Sequence, residues 1–206
     1  MDISEFANLI RNLPVKRHSV TIKKKNWVNA FGLSTPKEVR ELFGEASEIE
    51  ISRNDIFNTE SIKKKIYMTI LWGYPKGMRN NYHESIFKQI NEIGELLERT
   101  REINDWATHT ANVNYAGLRL STYSKLLYFN HSQINNNNAI ILDSTIINCI
   151  NKKVFTNFNN PRQITYSNAS EYYPDYLITL KGIAQQNNVA EDQIELFLFL
   201  LGNKIK

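Results

Sequence analysis

The chain has 206 residues, of which 42% are hydrophobic and 22% are charged, and its formal net charge is +4. This composition is typical of a globular protein, and it excludes a disordered tail or a collagen-like fibre. A single cysteine, Cys149, excludes an internal disulfide and a Cys-rich zinc site. The sequence has no apolar run long enough to cross a membrane, and its first residues lack a signal pattern. We therefore expect a cytoplasmic protein that makes no membrane contact.

Apolar residues at helical spacing dominate the chain, so the sequence predicts an all-α globule of about nine helices. The predicted helices cover 4–13, 35–44, 59–72, 81–99, 102–115, 121–130, 144–152, 170–187 and 190–201. Residues 14–33 are predicted to be irregular and basic, and 49–51 is the one short extended piece. We expect an N-terminal helical and irregular segment, 1–58, to pack on a helical core formed by 59–206.

Two segments between these helices are predicted to be loops. Residues 73–77, with the sequence Gly-Tyr-Pro-Lys-Gly, cannot continue a helix because glycine and proline interrupt it. The asparagine tract at 135–138 has too few apolar side chains for the core, so we expect it to form a solvent-exposed loop.

A lysine and a carboxylate in the second half of the chain have the pattern of a reactive pair. Lys125 follows a helix break at Gly117 and lies in the first turns of the next predicted helix, beside the apolar 126–129. The positive end of a helix and an apolar flank both favour the neutral amine, which is a nucleophile. Asp143 is predicted to cap the helix 144–152, where a carboxylate can stabilise a developing cation. The same pattern also fits a solvated surface lysine and an ordinary helix cap.

Four segments together carry a resemblance to a known family. They are 71–77, 124–129, 141–144 and 194–199. In this order and spacing they resemble the helix-hairpin-helix DNA glycosylase superfamily, and in particular small bacterial proteins of the 8-oxoguanine DNA glycosylase type. The resemblance covers about residues 60–201 and implies a helix-hairpin-helix glycosylase core within 59–206.

The resemblance implies a DNA N-glycosylase, with or without AP-lyase activity, that removes a modified or oxidised purine. In such enzymes a lysine attacks the anomeric carbon of a flipped nucleotide, expels the base and forms a Schiff base, while a carboxylate stabilises the charge. Lys125 would be the nucleophile and Asp143 its electrostatic partner. The implied partner is duplex DNA with a modified base.

The resemblance also assigns residues to DNA and to the base. A hairpin backbone would hold a DNA phosphate, formed by Gly117, Leu118, Arg119, Leu120 and Ser121. Aromatic side chains stack on flipped bases, and the candidates for this base pocket are Trp72, Tyr74 and Phe129. Each of these aromatic residues also fits a plainer role, as core packing for Trp72 and Phe129 and as an exposed turn residue for Tyr74.

The hairpin departs from the family pattern because it keeps one glycine, Gly117, where two or more are usual. Arg119 could replace the lost backbone contact by direct charge. A second hypothesis is therefore a non-catalytic reader that binds a modified base or a partner protein. Such a reader would act as an accessory protein in bacterial antiphage defence, with a partner encoded in the same operon. A third hypothesis is a helical interaction module. A shared cleft for Lys125 and Asp143 would favour the enzyme.

No cofactor and no metal are expected from the sequence. The four histidines, His18, His83, His109 and His131, are scattered without the spacing of metal ligands, and we interpret them as surface or satisfied residues. The lysine runs at 23–25 and 63–65 fit solvated faces, with phosphate contact as the alternative.

Overall fold

The computed structural model describes residues 1–27, 35–78, 82–158 and 162–205. These residues form eleven α-helices: α1 (Ala7–Arg11), α2 (Lys37–Phe43), α3 (Arg53–Phe57), α4 (Ile62–Gly73), α5 (Tyr82–Lys88), α6 (Ile90–Arg99), α7 (Trp106–Asn112), α8 (Leu120–Phe129), α9 (Ser144–Asn151), α10 (Ala169–Asn187) and α11 (Glu191–Phe197). Short 3₁₀ turns cover Ile3–Phe6, Val15–Arg17, Lys24–Asn26 and Thr156–Phe158, and a π-helical turn, Leu198–Gly202, follows α11.

Two small sheets make the fold mostly helical rather than all-α, which corrects the predicted fold class. Their strands are β1 (Ser19–Lys23), β2 (Glu48–Ser52), β3 (Glu102–Ile103), β4 (Gln133–Ile134) and β5 (Asn137–Asn138). β1 and β2 pair antiparallel with Ser19 opposite Ser52, while β4 pairs parallel with β3 and antiparallel with β5. β2 confirms the predicted extended piece. Its partner β1 was predicted to be irregular, because only two apolar residues alternate in it.

Several predicted helices are shorter or divided in the structure. The predicted helix 81–99 is two helices, α5 and α6, that meet at Gln89, and residue 81 lies outside the described residues. The prediction for 102–115 was wrong at its start, which is β3, and only Trp106–Asn112 is helical. These boundaries depend on tertiary packing, which local periodicity does not contain.

The asparagine tract is a tight hairpin instead of a loop exposed throughout. Asn135 and Asn136 adopt positive φ angles of 49° and 61°, a conformation that asparagine tolerates. Asn137 is buried in β5 and donates hydrogen bonds to the carbonyls of Ile134 and Asn135. The prediction failed because a polar side chain can be buried when its amide is hydrogen-bonded.

The helix α4 lies at the centre of the core and positions the site. Its residues from Ile66 to Trp72 are buried, and the helix packs against α8, α6 and β1. It ends at Gly73, one residue beyond the predicted end, and the following loop starts beside α8. None of the helices in the described part of the chain is long and apolar enough to span a membrane.

Candidate active site

Two hydrogen bonds between Ser124 and Leu142 hold α8 against the segment that precedes α9. Ser124 Oγ accepts a hydrogen bond from the Leu142 amide at 3.1 Å and donates to the Leu142 carbonyl at 3.4 Å. Lys125 and Asp143 are the next residues along each chain segment. The structure therefore brings Lys125 Nζ within 3.6 Å of Asp143 Oδ2, with both side chains largely buried.

Lys125 lies in the second turn of α8, and only 3% of its surface is exposed. Its ammonium donates hydrogen bonds to the carbonyl and the hydroxyl of Ser121, at 2.9 and 3.3 Å. The Tyr74 ring lies 5.4 Å from Nζ, which adds a cation–π contact. Lys125 is therefore buried and not a solvated surface lysine.

The carboxylate of Asp143 divides its two oxygens between two contacts. Oδ1 accepts hydrogen bonds from the amides of Thr145 and Ile146, so Asp143 caps α9 as predicted. Oδ2 is the oxygen that faces Lys125. The cap orients the carboxylate, and the second oxygen stays available for chemistry at the lysine.

Gly73 allows the end of α4 to touch the stem of Lys125. A Cβ atom at this position would lie 2.9 Å from Lys125 Cδ and 3.2 Å from Cε, both closer than a normal contact. Any larger residue at Gly73 would have to displace the lysine. The glycine was predicted only as a turn residue, and its role in the site comes from this close approach.

A cavity of about 190 Å³ is lined by this pair. Its polar wall consists of His18, Arg53, Trp72, Lys125, Asp143 and Glu195, and its apolar wall includes Val20, Ile141 and Phe199. Because an apolar cavity of roughly 150 Å³ holds a benzene ring, this one has the size of a single flat ring system.

A second ion pair in the cavity wall joins Arg53 to Glu195. Arg53 Nη1 donates to Glu195 Oε2 at 2.7 Å and to the Tyr128 hydroxyl at 3.3 Å, and both charged side chains are inaccessible to solvent. Burial works against the charged guanidinium, but the charge and hydrogen bonds of Glu195 and Tyr128 together outweigh it and raise the pKa of Arg53 above its ordinary value. The guanidinium also lies 5.2 Å from the centre of the Trp72 ring.

His18 lines the same cavity, which corrects its interpretation as a surface or satisfied histidine. Its ring packs edge-on against Trp72 at 5.5 Å, and its Nδ1 atom is buried without a hydrogen-bond partner among the described residues. Burial, with a smaller contribution from the charge of Arg53, lowers the pKa of His18 to about 4. The ring is therefore neutral at pH 7.

The three candidates for the base pocket lie in different places. Trp72 is in the cavity wall, and Tyr74 is fixed beside it by a 2.7 Å hydrogen bond between its hydroxyl and Thr122. Phe129 lies behind Trp72, fully buried, with its ring edge-on to the Trp72 ring at 5.5 Å. Phe129 supports the wall and does not line the cavity.

The hairpin before α8 needs its one glycine. Gly117 has a φ of +84°, and a Cβ atom there would lie 2.8 Å from the Tyr82 carbonyl. The amide of Leu118 donates to Tyr115, and that of Arg119 donates to Gly117, so these amides serve the turn itself. Leu118 is buried, whereas the exposed Arg119 lies over the ring of Tyr166 at 4.8 Å. Leu120 begins α8, and Ser121 contacts Lys125.

Arg53, Glu195 and the role of His18 were not predicted from the sequence. Glu195 is within one of the segments that carry the family resemblance, but Arg53 is 142 residues away from it, and no local pattern joins them. No group of three or more potential metal ligands clusters within the described ranges.

Comparison with known proteins identifies one family over nearly the whole chain. The sequence model of the family described as "Putative 8-oxoguanine DNA glycosylase OGG-like protein" matches residues 13–199. The match includes His18 and Arg53 as well as Lys125 and Asp143. Comparisons with curated proteins and with solved structures gave no match. The chain belongs to the 8-oxoguanine DNA glycosylase OGG-like family.

Proposed function

We propose that the protein is a DNA N-glycosylase that removes a modified or oxidised purine through a Schiff base on Lys125. The observation that carries this proposal is the cavity in whose wall Lys125 Nζ lies 3.6 Å from Asp143 Oδ2. A lysine amine next to a carboxylate supplies a nucleophile and a charge that stabilises the sugar cation. The base would enter the cavity by flipping out of the duplex, since its glycosidic carbon is shielded there.

The reaction can be written with the atoms on hand. The ammonium of Lys125 first releases a proton to water, and the neutral amine attacks C1′ as the glycosidic bond breaks and its electron pair leaves with the base nitrogen. One amine proton goes to that nitrogen, and the departing base is neutral. The second goes to O4′ as the sugar ring opens, which leaves an imine between Nζ and C1′. Asp143 Oδ2, which lies 3.6 Å from Nζ, would carry the amine proton to the base nitrogen.

Contact with the duplex is proposed for the hairpin 117–121 and its exposed Arg119. Because the hairpin amides of Leu118 and Arg119 are used within the turn, charge would contribute more than backbone hydrogen bonds. Phosphate contacts release counterions, so the affinity for duplex DNA should fall about tenfold or more between low and physiological salt. Replacing Arg119 with Gln should reduce the slope of that salt dependence by about one.

Borohydride trapping tests the mechanism directly. Wild-type protein is incubated with duplexes that each carry one lesion or one abasic site, and covalent adducts are counted after reduction. Lys125→Gln should form none, with little change in thermal stability. Lys65→Gln is the matched control, because burial lowers the pKa of Lys65 while that lysine lies outside the cavity wall. Adducts at wild-type yield in Lys125→Gln would remove this lysine from the mechanism.

A non-catalytic reader is the second candidate, and one observation favours it. The ammonium of Lys125 is already held by Ser121 and Asp143, as in a lysine with a structural role. A reader would bind one lesion duplex selectively and form no covalent adduct with any of the duplexes. An enzyme would show both selective binding and adduct formation.

A further inference from the structure

A chain of hydrogen bonds leads from the cavity wall to a second pocket. The Tyr128 hydroxyl accepts a hydrogen bond from Arg53 Nη1 at 3.3 Å and donates one to Asp192 Oδ2 at 3.0 Å. Arg53 lines the cavity, whereas Asp192 lines a separate pocket of about 510 Å³ whose wall includes neither Lys125 nor Asp143. A carboxylate outside the cavity is therefore connected to a charged side chain in its wall.

The chemistry of the three groups fixes the direction of this chain. A guanidinium donates hydrogen bonds and accepts none, so the Tyr128 hydroxyl is the acceptor toward Arg53. Burial raises the pKa of Tyr128, and the hydroxyl keeps its own proton. That proton needs an acceptor, because an unpaired buried hydroxyl costs free energy, and Asp192 supplies one. Asp192 therefore stabilises the orientation in which the hydroxyl receives Arg53.

Two helices hold Arg53 between them. Lys125 and Tyr128 are three residues apart on α8, so they lie on one face of that helix. Asp192 and Glu195 are likewise three residues apart on α11. Arg53, at the start of α3, donates to Tyr128 on the first helix and to Glu195 on the second. The arginine therefore connects the helix that carries the proposed nucleophile to the helix that carries the two carboxylates.

The two contacts of Arg53 start from one nitrogen, Nη1, which carries two hydrogens. A single hydrogen bond to Glu195 would allow the guanidinium to turn about that bond, and the second bond, to Tyr128, fixes its plane. The guanidinium lies over the Trp72 ring at 5.2 Å, and both side chains line the cavity. The orientation of Arg53 therefore affects the shape of the wall that a bound base meets.

We propose that Tyr128 and Asp192 are positioning residues that hold Arg53, and with it the Trp72 side of the cavity, in the orientation needed for base release. The inference rests on the proposed function, since the base is the one that Lys125 displaces. Tyr128 and Asp192 do not line the cavity themselves. Their effect should therefore be large when a base occupies the cavity and small when the nucleotide has no base.

The test compares two reactions of the full chain at saturating DNA. They are the release of 8-oxoguanine from a duplex and borohydride trapping on the matching duplex with an abasic site. Tyr128→Phe removes the hydroxyl and keeps the ring, and Asp192→Ala removes the acceptor of the hydroxyl proton. Each should slow base release about tenfold, because a displaced wall misaligns the base, and leave abasic trapping within about twofold.

Two further variants show whether the residues act as one chain. The double variant of Tyr128→Phe and Asp192→Ala should be no slower than either single variant, because both substitutions break the same connection. Asp192→Asn keeps an acceptor oxygen for the hydroxyl, and it should restore base release to within about threefold of the wild type.

Each variant has a matched control that makes the same chemical change outside the chain. Tyr123→Phe removes another buried hydroxyl from α8, one that is hydrogen-bonded to His109 at 2.6 Å. Glu191→Ala removes the carboxylate next to Asp192 in the same pocket, where its partner is Asn138. Both controls should release the base at the wild-type rate.

A measurement without turnover follows Arg53 itself. Buried and hydrogen-bonded guanidinium protons exchange slowly with water, so the wild type should give sharp Arg53 side-chain signals in ¹H–¹⁵N spectra. Arg53→Lys identifies these signals by their loss. Tyr128→Phe and Asp192→Ala should broaden them while the backbone amide signals of α3 stay sharp, and Glu191→Ala should leave them unchanged.

The outcomes separate this inference from the proposed function. Wild-type rates of base release in Tyr128→Phe and Asp192→Ala would overturn the positioning role, as would equal losses of base release and abasic trapping. A double variant that is about a hundredfold slower would also overturn it, since independent effects multiply. If the wild type neither releases a base nor forms an adduct, the proposed function fails. The Arg53 signals then decide whether these residues hold the arginine, and unchanged signals in Asp192→Ala would show that they do not.

Discussion

Two ion pairs line one cavity, and they differ in how tightly they are closed. Arg53 and Glu195 are joined by a 2.7 Å hydrogen bond, and neither side chain reaches solvent. Lys125 and Asp143 are 3.6 Å apart, with 4% and 13% of their side chains exposed. A closed pair supports the fold, because separating it would leave a buried charge alone. An open pair can exchange its partner for a substrate. The difference assigns support and orientation to the first pair and chemistry to the second.

The closed pair should dominate stability. Glu195→Gln leaves Arg53 charged and buried without its counter-ion, although the amide oxygen still accepts a hydrogen bond, and we expect a loss of about 3 kcal/mol in the free energy of unfolding. Chemical denaturation measures it. Glu95→Gln, in the exposed pair with Arg99, is the control and should change stability by less than about 1 kcal/mol. Similar small losses in both variants would show that the Arg53–Glu195 pair contributes no more to stability than an exposed pair.

The open pair should dominate the rate. Asp143→Asn keeps an oxygen for the amides of Thr145 and Ile146 and removes the charge beside Lys125. We expect base excision to slow on the order of a hundredfold, with little change in stability, because asparagine caps helices well. Asp143→Ala should in addition lose about 1 kcal/mol of stability. A fully active Asn variant would leave capping as the only role of this carboxylate.

His18 offers a pH test on the Arg53 side of the cavity. Its pKa is about 4 in the folded protein and 6.5 as the ordinary value, so the unfolded chain binds more protons between these limits. The free energy of unfolding should therefore fall as the pH drops from 6.5 toward 4. His18→Phe should remove about 1–2 kcal/mol of this fall, since the half-buried ring retains part of its hydration. If the free energy of unfolding falls equally with decreasing pH in wild type and variant, His18 does not contribute to that fall.

The smallest expected effect concerns the stem of Lys125. Gly73→Ala places a methyl group 2.9 Å from Cδ, so the lysine stem must shift from its position beside Asp143 or the end of α4 must move. We expect about tenfold slower adduct formation, because a misplaced nucleophile loses its alignment. Gly182→Ala, a helical glycine with open space around it, should leave the rate unchanged. Equal rates in both variants would mean that the open pair tolerates displacement.

The two pairs also differ in how far the sequence predicts them. Lys125 and Asp143 each carry a local signal, since a helix break precedes the first and a capping position holds the second. Arg53 and Glu195 carry none, because the contact joins residues far apart in the chain, and burial of a charge contradicts the usual interpretation of charged residues as surface. His18 was misinterpreted for the same reason, as β1 and its neighbours had no predicted partner.

The helical core was predictable where apolar spacing was long and regular, as in α4 and α10. Gln89 shows the limit of this approach, because the apolar stripe of 81–99 continues through the residue where α5 and α6 separate. The small strands had too few residues for alternation to be visible, and their pairing depends on contacts across the fold.

The segment 139–142, which leads to Asp143, belongs to neither sheet. The carbonyls of Ile140 and Ile141 accept hydrogen bonds from the hydroxyls of Tyr173 and Tyr176 on α10, and Leu142 is bound by Ser124. Side chains therefore take the place that a neighbouring strand would occupy. Removing one hydroxyl at a time should loosen this segment in steps, and amide hydrogen exchange would register each step while the helices around it remain protected. The position of the carboxylate can thus be tuned from α10, whereas the lysine is carried by α8.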